Sequence, residues 1–257
     1  MDQIVWDQVL ATFVPIIVYW LYSGLYMAFG SSTHKYRLHS KKEEDTKNLV
    51  PMNKVVKGVL LQQSLQSSVA LLSFWITSMT TKSQQQQQQP SLLTTSKQFL
   101  VAMFVFDTWQ YFMHRIMHHS RFLYKHLHSW HHRLIVPYAF GAQYNHPIDG
   151  LLIETASGAV AFLVSGMSPR ASIFFFTFAT IKGIDDHCGL MLPWNPFHVF
   201  FGNNAAYHDV HHQLYGSKYN FSQPFFVVWD KVFGTYMSYS IEMREEGGFE
   251  VRPVKKE

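Results

Sequence analysis

The strongest constraint on the fold is a long apolar segment near the N-terminus. Residues 9–29 contain no charged side chain. A helix of about 20 such residues is long enough to cross the hydrocarbon core of a bilayer. Asp2 and Asp7 precede the segment and no Lys or Arg does, so we expect a membrane helix rather than a cleavable signal peptide with a basic start.

Further segments share this apolar character: residues 58–79, 99–113, 151–167 and 171–184. The first of them is the weakest candidate because several glutamines and serines dilute it. Ser168-Pro169-Arg170 separates the last two, which favours a tight transmembrane hairpin or a re-entrant pair. We predict an all-α integral membrane protein with about four to five transmembrane or re-entrant helices. The alternative is a soluble protein whose apolar helices are buried.

The basic residues predict the orientation of these helices. None precedes the first apolar segment, whereas seven lie between the first and the second. Because Lys and Arg concentrate in cytosolic loops, we expect a lumenal N-terminus and a cytosolic location for the residues after 113. The run of six glutamines at 84–89 then falls in a lumenal loop, where we predict no chemistry for it.

Composition excludes several functional classes. Charged residues make up 15% of the chain, below the ~25% of an ordinary soluble domain. A net charge of +4 is too small and too scattered for a nucleic-acid-binding surface. The single cysteine, Cys188, excludes a disulfide framework and a zinc ribbon. The sequence also lacks a GxSxG motif, a phosphate-binding glycine loop and a nicotinamide or flavin fingerprint, so electrons for a redox reaction must come from another protein.

The placement of histidine predicts the chemistry. The chain has 15 histidines, most of them in three short clusters. Residues three or four positions apart share a face of a helix, so each cluster can direct several imidazoles at one centre. The predicted metal ligands are His114, His118, His128, His131, His132, His208, His211 and His212, with His187 as a ninth and His146 as a further candidate. His119 lies about 140° around a helix from His114 and is not a predicted ligand.

So many imidazoles indicate two metal ions rather than one. Neutral imidazole suits Fe, Zn or Cu better than Mg or Ca. Asp107 and Tyr111 share a helix stripe with His114 and His118, and we expect Asp107 to accept a hydrogen bond from a ligand imidazole, directly or through Tyr111. Asp209 in the third cluster is expected to act in the same way. The alternatives are a water-solvated Asp107 at a helix kink and a set of unrelated interfacial histidines.

The sequence resembles the fatty acid hydroxylase superfamily of membrane di-iron oxygenases. The order of the boxes, HxxxH, HxxHH and HxxHH, interleaved with membrane segments, carries this resemblance. Within the superfamily it is most similar to the plant sphingoid long-chain base C4-hydroxylases, the sphinganine C4-monooxygenases. The segments that carry this similarity are 14–24, 107–115, 122–132, 145–147, 185–189 and 207–216.

The resemblance implies a cytosolic, histidine-rich helical cap that holds two irons, with O2 as co-substrate and electrons from NAD(P)H through a reductase and cytochrome b5. The implied reaction hydroxylates C4 of sphinganine or dihydroceramide to give phytosphingosine-type trihydroxy bases in sphingolipid biosynthesis. The implied partners are this lipid substrate, cytochrome b5, its reductase and ceramide synthase. The implied location is the endoplasmic reticulum membrane, with cytosolic histidine boxes. No catalytic residue beyond the metal centre is implied, and no nucleic acid.

Two alternatives stay open. A hydroxylase or desaturase of the same superfamily acting on sterols or fatty acyl chains would use the same irons. A histidine-rich zinc transporter should instead carry its histidines and acidic groups at mid-bilayer, whereas we expect the clusters at the cytosolic edge. We divide the chain into N-terminal anchor helices with a basic loop (1–97), a catalytic domain (98–245) and a polar tail (246–257).

Overall fold

A computed structural model describes residues 3–30, 32–80 and 90–254 of the chain. The glutamine run at 84–89 lies outside the described residues. The helices are α1 (Gln3–Phe29), α2 (Lys41–Lys47), α3 (Met52–Thr80), α4 (Leu92–His119), α5 (Arg121–His126), α6 (Pro147–Gly150), α7 (Ala156–Ser165), α8 (Pro169–His187), α9 (Pro196–Phe200), α10 (Ala205–His212) and α11 (Val228–Val232). Short 3-10 helices span His34–Tyr36, His128–Arg133 and Ala139–Gly141, and a π-helical turn, Leu151–Thr155, joins α6 to α7.

Among the described residues, three segments are long and apolar enough to cross a membrane: Gln3–Phe29, Met52–Ile76 and Pro147–Ser165. At most a third of each span's most apolar window is buried, and apolar surfaces of this extent are typical of lipid-facing helices. The weakest predicted segment, 58–79, is therefore one of the three. The predicted segments 99–113 and 171–184 lie within α4 and α8, which are not among the three.

The first membrane helix, α1, is polar on its inner face and apolar outside. Its buried residues are Asp7, Ala11, Tyr19 and Ser23, which lie at multiples of four positions, whereas Leu21 is 65% exposed. This stripe packs mainly against α8. A helix in lipid gains nothing by burying leucine, so small and hydrogen-bonding residues form its contacts.

The glutamines that weaken the apolar pattern of α3 also point inward. Gln62 is fully buried, and Gln63 accepts a hydrogen bond from the indole N–H of Trp20 at 2.9 Å. Gln66 donates to the carboxylate of Glu154 at 2.9 Å. These polar groups reduce the hydropathy of α3 without facing lipid.

The predicted break between the last two apolar segments is confirmed. Helix α7 ends at Gly166, which adopts the left-handed conformation with φ +63°. Ser168 caps the next helix by accepting a hydrogen bond from the backbone N–H of Ala171, and Pro169 occupies the first turn. The two helices are thus separated by a tight, well-capped turn.

The C-terminal part contains a hairpin that the sequence analysis does not predict. Strands β1 (Tyr239–Met243) and β2 (Phe249–Pro253) pair in antiparallel register, with Ile241 opposite Val251. Val251 is buried in a hydrophobic cluster with Leu190 and Val210. The strand β2 therefore packs against the histidine-bearing part of the fold, although it lies within the predicted tail of 246–257.

Gly189 lies in the turn that follows α8, at a position that favours glycine. Its φ is +70°, and a Cβ at this position would lie 2.6 Å from the carbonyl oxygen of Pro137. Gly234 has a similar φ, +68°, but no atom near its Cβ position. We expect Gly234→Ala to cost roughly 1 kcal/mol of stability and Gly189→Ala roughly 2–4 kcal/mol, because only the latter adds a backbone clash to the conformational strain. Thermal unfolding in detergent measures both, and equal losses would contradict the clash.

Candidate metal centre

Nine buried or nearly buried histidines converge in one region. They come from the last turns of α4, the His128–Arg133 helix, the C-terminal end of α8 and helix α10. Asn204 starts α10 by accepting hydrogen bonds from the backbone N–H groups of Ala206 and Tyr207. The histidines extend along the sequence from His114 to His212, so the site exists only in the folded protein.

The nine histidines form two groups. Their potential ligand atoms lie within 4.8 Å of one another inside each group. The first group is His114, His118, His128, His132 and His211; the second is His131, His187, His208 and His212. The structure thus brings together all nine histidines that the sequence analysis names as ligands.

The two HxxHH boxes are shared between the groups. His128 and His132 belong to the first group, but His131 between them belongs to the second. The box of α10 shows the reverse, because His208 and His212 lie in the second group and His211 in the first. Each HxxHH box therefore contributes histidines to both groups, although helix spacing places its three imidazoles on one face. The i, i+4 pair serves one group and the i+3 histidine serves the other.

Hydrogen bonds hold six of these imidazoles in place through their Nδ1 atoms. Each has its Nδ1 atom within 2.7–3.3 Å of a protein oxygen. The oxygens are the carbonyls of Phe221 for His114, Tyr144 for His131, Gly183 for His187, Tyr219 for His211 and Leu134 for His212, and the carboxylate of Asp149 for His128. A carbonyl only accepts, so Nδ1 carries the proton in the five imidazoles bound to carbonyls and Nε2 presents a lone pair.

The second group has the chemistry of a metal site. Nε2 of His131 lies 3.2 Å from Nε2 of His187 and 3.1 Å from Nε2 of His212. None of these three nitrogens has a proton to donate, so their lone pairs repel one another unless a cation lies between them. Two nitrogens bound to one ion at about 2.0–2.1 Å and at a right angle lie about 3 Å apart. The observed separations fit that geometry.

The first group fits a second metal ion. The Nε2 atoms of His114, His128 and His211 are buried and have no hydrogen-bond partner among the described residues. Unpartnered buried nitrogens cost free energy, and coordination would satisfy them. Nε2 of His118 and His132 lie 3.0 Å apart in the same group.

Burial keeps these imidazoles neutral. It is the main reason that the pKa of His211 is lowered to about 3, with repulsion from His128 and His187 adding to the effect. The pKa values of His131 and His212 are lowered well below the usual range by burial and by neighbouring imidazoles. Neutral imidazole is the form that binds metals.

Asp149 is a carboxylate that directly contacts a histidine of the first group. It is fully buried, and its Oδ2 lies 2.8 Å from Nδ1 of His128. Carboxylate–histidine pairs of this kind orient metal ligands and increase their basicity. The sequence analysis missed Asp149. The criterion that selected Asp107, a shared helix stripe with two histidines, does not apply to Asp149, because its partner His128 lies 21 positions away in another element.

Asp107 supports the centre less directly than expected. Among the described residues its donors are the backbone N–H groups of Phe225 and Phe226, rather than an imidazole. It therefore anchors the segment that follows Phe221, whose carbonyl binds His114. Asp230 fixes Phe221 from the other side by accepting its backbone N–H at 3.0 Å.

Tyr111 and Asp209 also have partners other than the expected ones. The hydroxyl of Tyr111 lies 3.0 Å from that of Thr235, so it does not relay a hydrogen bond from Asp107 to an imidazole. Asp209 lies 2.8 Å from Nε2 of His39, a histidine outside both groups. Both residues are buried and support the surroundings of the centre rather than a ligand.

Other histidines lie outside both groups. The side chain of His146 caps α6 by accepting the backbone N–H of Ile148 and packs on Trp130. His198 lies 2.8 Å from the carboxylate of Asp185. His119 is exposed, as its position around the helix predicts. Of the sequence candidates, only His146 is not part of the described centre.

A cavity of about 610 Å³ connects the membrane helices to the second group. Residues of α1, α3, α7 and α8 line it, and it reaches His187 and His208. Phe74, Phe162 and Phe176 are among its apolar walls. The cavity therefore gives a long apolar molecule a route from the bilayer to the metal centre.

The chain is similar in sequence to a known protein family and to several named proteins. The family model for fatty acid hydroxylase matches residues 99–235. Sphinganine C4-monooxygenases 2 and 1 of Arabidopsis thaliana are 63% and 64% identical to this chain, covering 99% and 97% of it and 98% and 95% of their own lengths. A protein of Oryza sativa subsp. indica named a very-long-chain aldehyde decarbonylase is 56% identical, over 97% of this chain and 96% of its own. No solved structure is significantly similar.

Metal analysis tests the division into two groups. We expect the purified protein to hold about two metal ions per chain and His187→Ala to hold about one, because His187 contributes only to the second group. His146→Ala is the matched control and should retain both ions. Equal metal loss in the two variants, measured by elemental analysis, would contradict the assignment.

Acid should destabilise the metal-free protein. An unfolded chain binds protons at histidines of pKa about 6.5, whereas the folded chain keeps these imidazoles neutral to lower pH, as at His211 with its pKa of about 3. Stability is thus full above about pH 6.5 and falls as the pH drops towards 3, by up to about 1.4 kcal/mol per pH unit for each such imidazole. Melting of the chelator-treated protein between pH 7.5 and 5.5 measures this, and a constant melting temperature would contradict it.

Proposed function

The chain belongs to the fatty acid hydroxylase family, and on this basis we propose that it hydroxylates C4 of sphingoid long-chain bases to give phytosphingosine-type trihydroxy bases. The observation that carries the proposal is the similarity, over nearly the whole chain, to two proteins named sphinganine C4-monooxygenases. The buried histidine groups supply the donors that a metal-dependent hydroxylase requires. The protein is therefore an oxidoreductase, with a lipid as its substrate.

We assign iron to the two histidine groups. An all-imidazole donor set suits iron, copper and zinc, and zinc has no redox chemistry. Bound iron would supply the two-electron activation of O2 that inserts one oxygen atom into a C–H bond and releases the other as water.

The chain's own residues prepare the site for this chemistry. Backbone carbonyls and Asp149 hold the imidazole protons on Nδ1 and direct Nε2 inward. The apolar walls of the cavity exclude water from the reacting carbon. The cavity would also orient the lipid, with its alkyl chain among the membrane helices and its polar end at His187 and His208.

Electrons must be delivered from outside the chain. The sequence has no nicotinamide or flavin fingerprint, which supports cytochrome b5 and its NAD(P)H-dependent reductase as the donors. The seven basic residues between the first two membrane segments support a cytosolic location of that loop. His39 of the loop lies 2.8 Å from Asp209 of the third box, which supports the same location for the histidine boxes, where such a donor can dock. We place the protein in the endoplasmic reticulum membrane as a multi-pass protein, with ceramide synthase as a partner that uses its product.

A second candidate function comes from the rice relative. Its name describes an aldehyde decarbonylase, and its identity to this chain is only slightly lower. That activity would use the same histidine groups on a long-chain aldehyde. The product would be a hydrocarbon rather than a trihydroxy base, so a lipid analysis separates the two functions.

Expression in cells that lack C4-hydroxylated long-chain bases tests the proposal. We expect trihydroxy bases in the sphingolipids of cells that express the chain, detected by mass spectrometry. His211→Ala should reduce the product at least about 100-fold, because it removes a ligand of the first group.

His119→Ala is the matched control, since His119 directly follows His118 in the sequence but lies exposed outside both groups. It should keep normal activity. A well-expressed wild-type chain that forms long-chain hydrocarbons and no trihydroxy base would replace the proposed function by aldehyde decarbonylation.

A further inference from the structure

Glu154 is a carboxylate in an unusual position. It lies in the π-helical turn Leu151–Thr155, within the candidate membrane span Pro147–Ser165. It lines the large cavity together with His187 and His208, and it also borders a smaller space with His114, His128 and His131. An acidic group at membrane depth is costly and indicates a function.

Neutral groups hold this carboxylate in place. Oε2 accepts a hydrogen bond from the amide of Gln66 at 2.9 Å, and Oε1 accepts one from the amide of Asn145 at 2.7 Å. No Lys, Arg or His forms an ion pair with Glu154 in the described part of the chain. Its donor atoms also lie outside both histidine groups, so it is oriented but neither neutralised nor placed as a ligand.

The cavity offers a cation no competing positive side chain. Among the described residues, its lining contains no Lys or Arg. The second carboxylate of the lining, Asp186, forms a buried ion pair with Lys182. Among the described residues Glu154 is therefore the carboxylate of the cavity lining that has no ion pair, and it lies at the end next to the histidines.

We propose that Glu154 binds the ammonium group of a free long-chain base and so selects it over its N-acylated form. This inference rests on the proposed function. In a long-chain base a single carbon separates the amine-bearing C2 from C4, so the ammonium must lie beside the reacting carbon. Glu154 is placed accordingly, since it borders both the lipid cavity and the space next to the histidines.

The same geometry disfavours the other lipid classes. An N-acylated base has a neutral amide and a second acyl chain, so it cannot neutralise Glu154. A fatty acid would bring a second negative charge beside it, and an aldehyde would leave the carboxylate unpaired. The charge at this position thus determines the substrate class.

Glu154→Gln tests the role because it removes the charge and keeps the size of the side chain. We expect the KM for sphinganine to rise roughly 10- to 100-fold, the range for a hydrogen bond to a charged group, with a much smaller change in kcat. Binding of radiolabelled sphinganine in detergent without an electron donor should weaken by the same factor. N-acetylsphinganine, which has no ammonium, should bind the variant and the wild type equally.

Two controls keep the test specific. Glu245→Gln neutralises an exposed carboxylate outside the cavity and should change neither substrate. Metal content shows that Glu154→Gln is folded. If that variant does not fold, the wild type alone decides, because it should bind sphinganine at least about 10-fold more tightly than N-acetylsphinganine.

The outcomes separate this inference from the proposed function. Hydroxylation of sphinganine with equal affinity in the wild type and Glu154→Gln would overturn the role of Glu154 and leave the function intact. A wild type that prefers the N-acylated form would also overturn it. Sphinganine binding that depends on Glu154 without any C4-hydroxylated product would support the amine site and overturn the proposed reaction.

Discussion

The structure depends on the hydrogen bonds between imidazole Nδ1–H groups and backbone carbonyls. In each bond, Nδ1 donates the single N–H proton of a neutral histidine. The lone pair of Nε2 then points into the site. Where several such lone pairs converge, as at His131, His187 and His212, the folded chain requires a cation. The carbonyls come from loops and helix ends, so the irregular segments of the fold shape the metal site as much as the helices that carry the histidines.

The membrane helices bury polar side chains and expose apolar ones, whereas helices of a water-soluble protein do the reverse. Helix α1 buries Asp7, Tyr19 and Ser23 and exposes leucine, and α3 directs glutamines towards the protein. In lipid, polar contacts and close approach hold helices together, since apolar side chains are equally well solvated outside. One of these inward glutamines, Gln66, orients Glu154, so the packing of the anchor helices extends into the site.

The sequence allowed prediction of the residues whose role depends on local spacing. The histidine boxes follow helix periodicity, and all nine named ligands lie in the two groups. The sequence did not allow us to predict how the two HxxHH boxes divide between the histidine groups. That division depends on how the His128–Arg133 helix and α10 pack against α4 and α8. Asp149 and Glu154 were missed for the same reason. Their partners are His128 and Gln66, at distances along the chain that no helix period relates. Asp107 is buried, but its partners are two backbone N–H groups on a distant loop rather than the predicted imidazole.

The crosswise sharing of the two HxxHH boxes has a consequence for how the centre assembles. An ion bound by the first group fixes the His128–Arg133 helix and α10 relative to each other. Those two elements also carry His131, His208 and His212, three of the four donors of the second group. Binding of the first ion thus already orders the elements that bind the second. The two ions therefore bind with positive cooperativity. At limiting metal supply, the chains would divide into empty and fully loaded molecules, with few that hold a single ion.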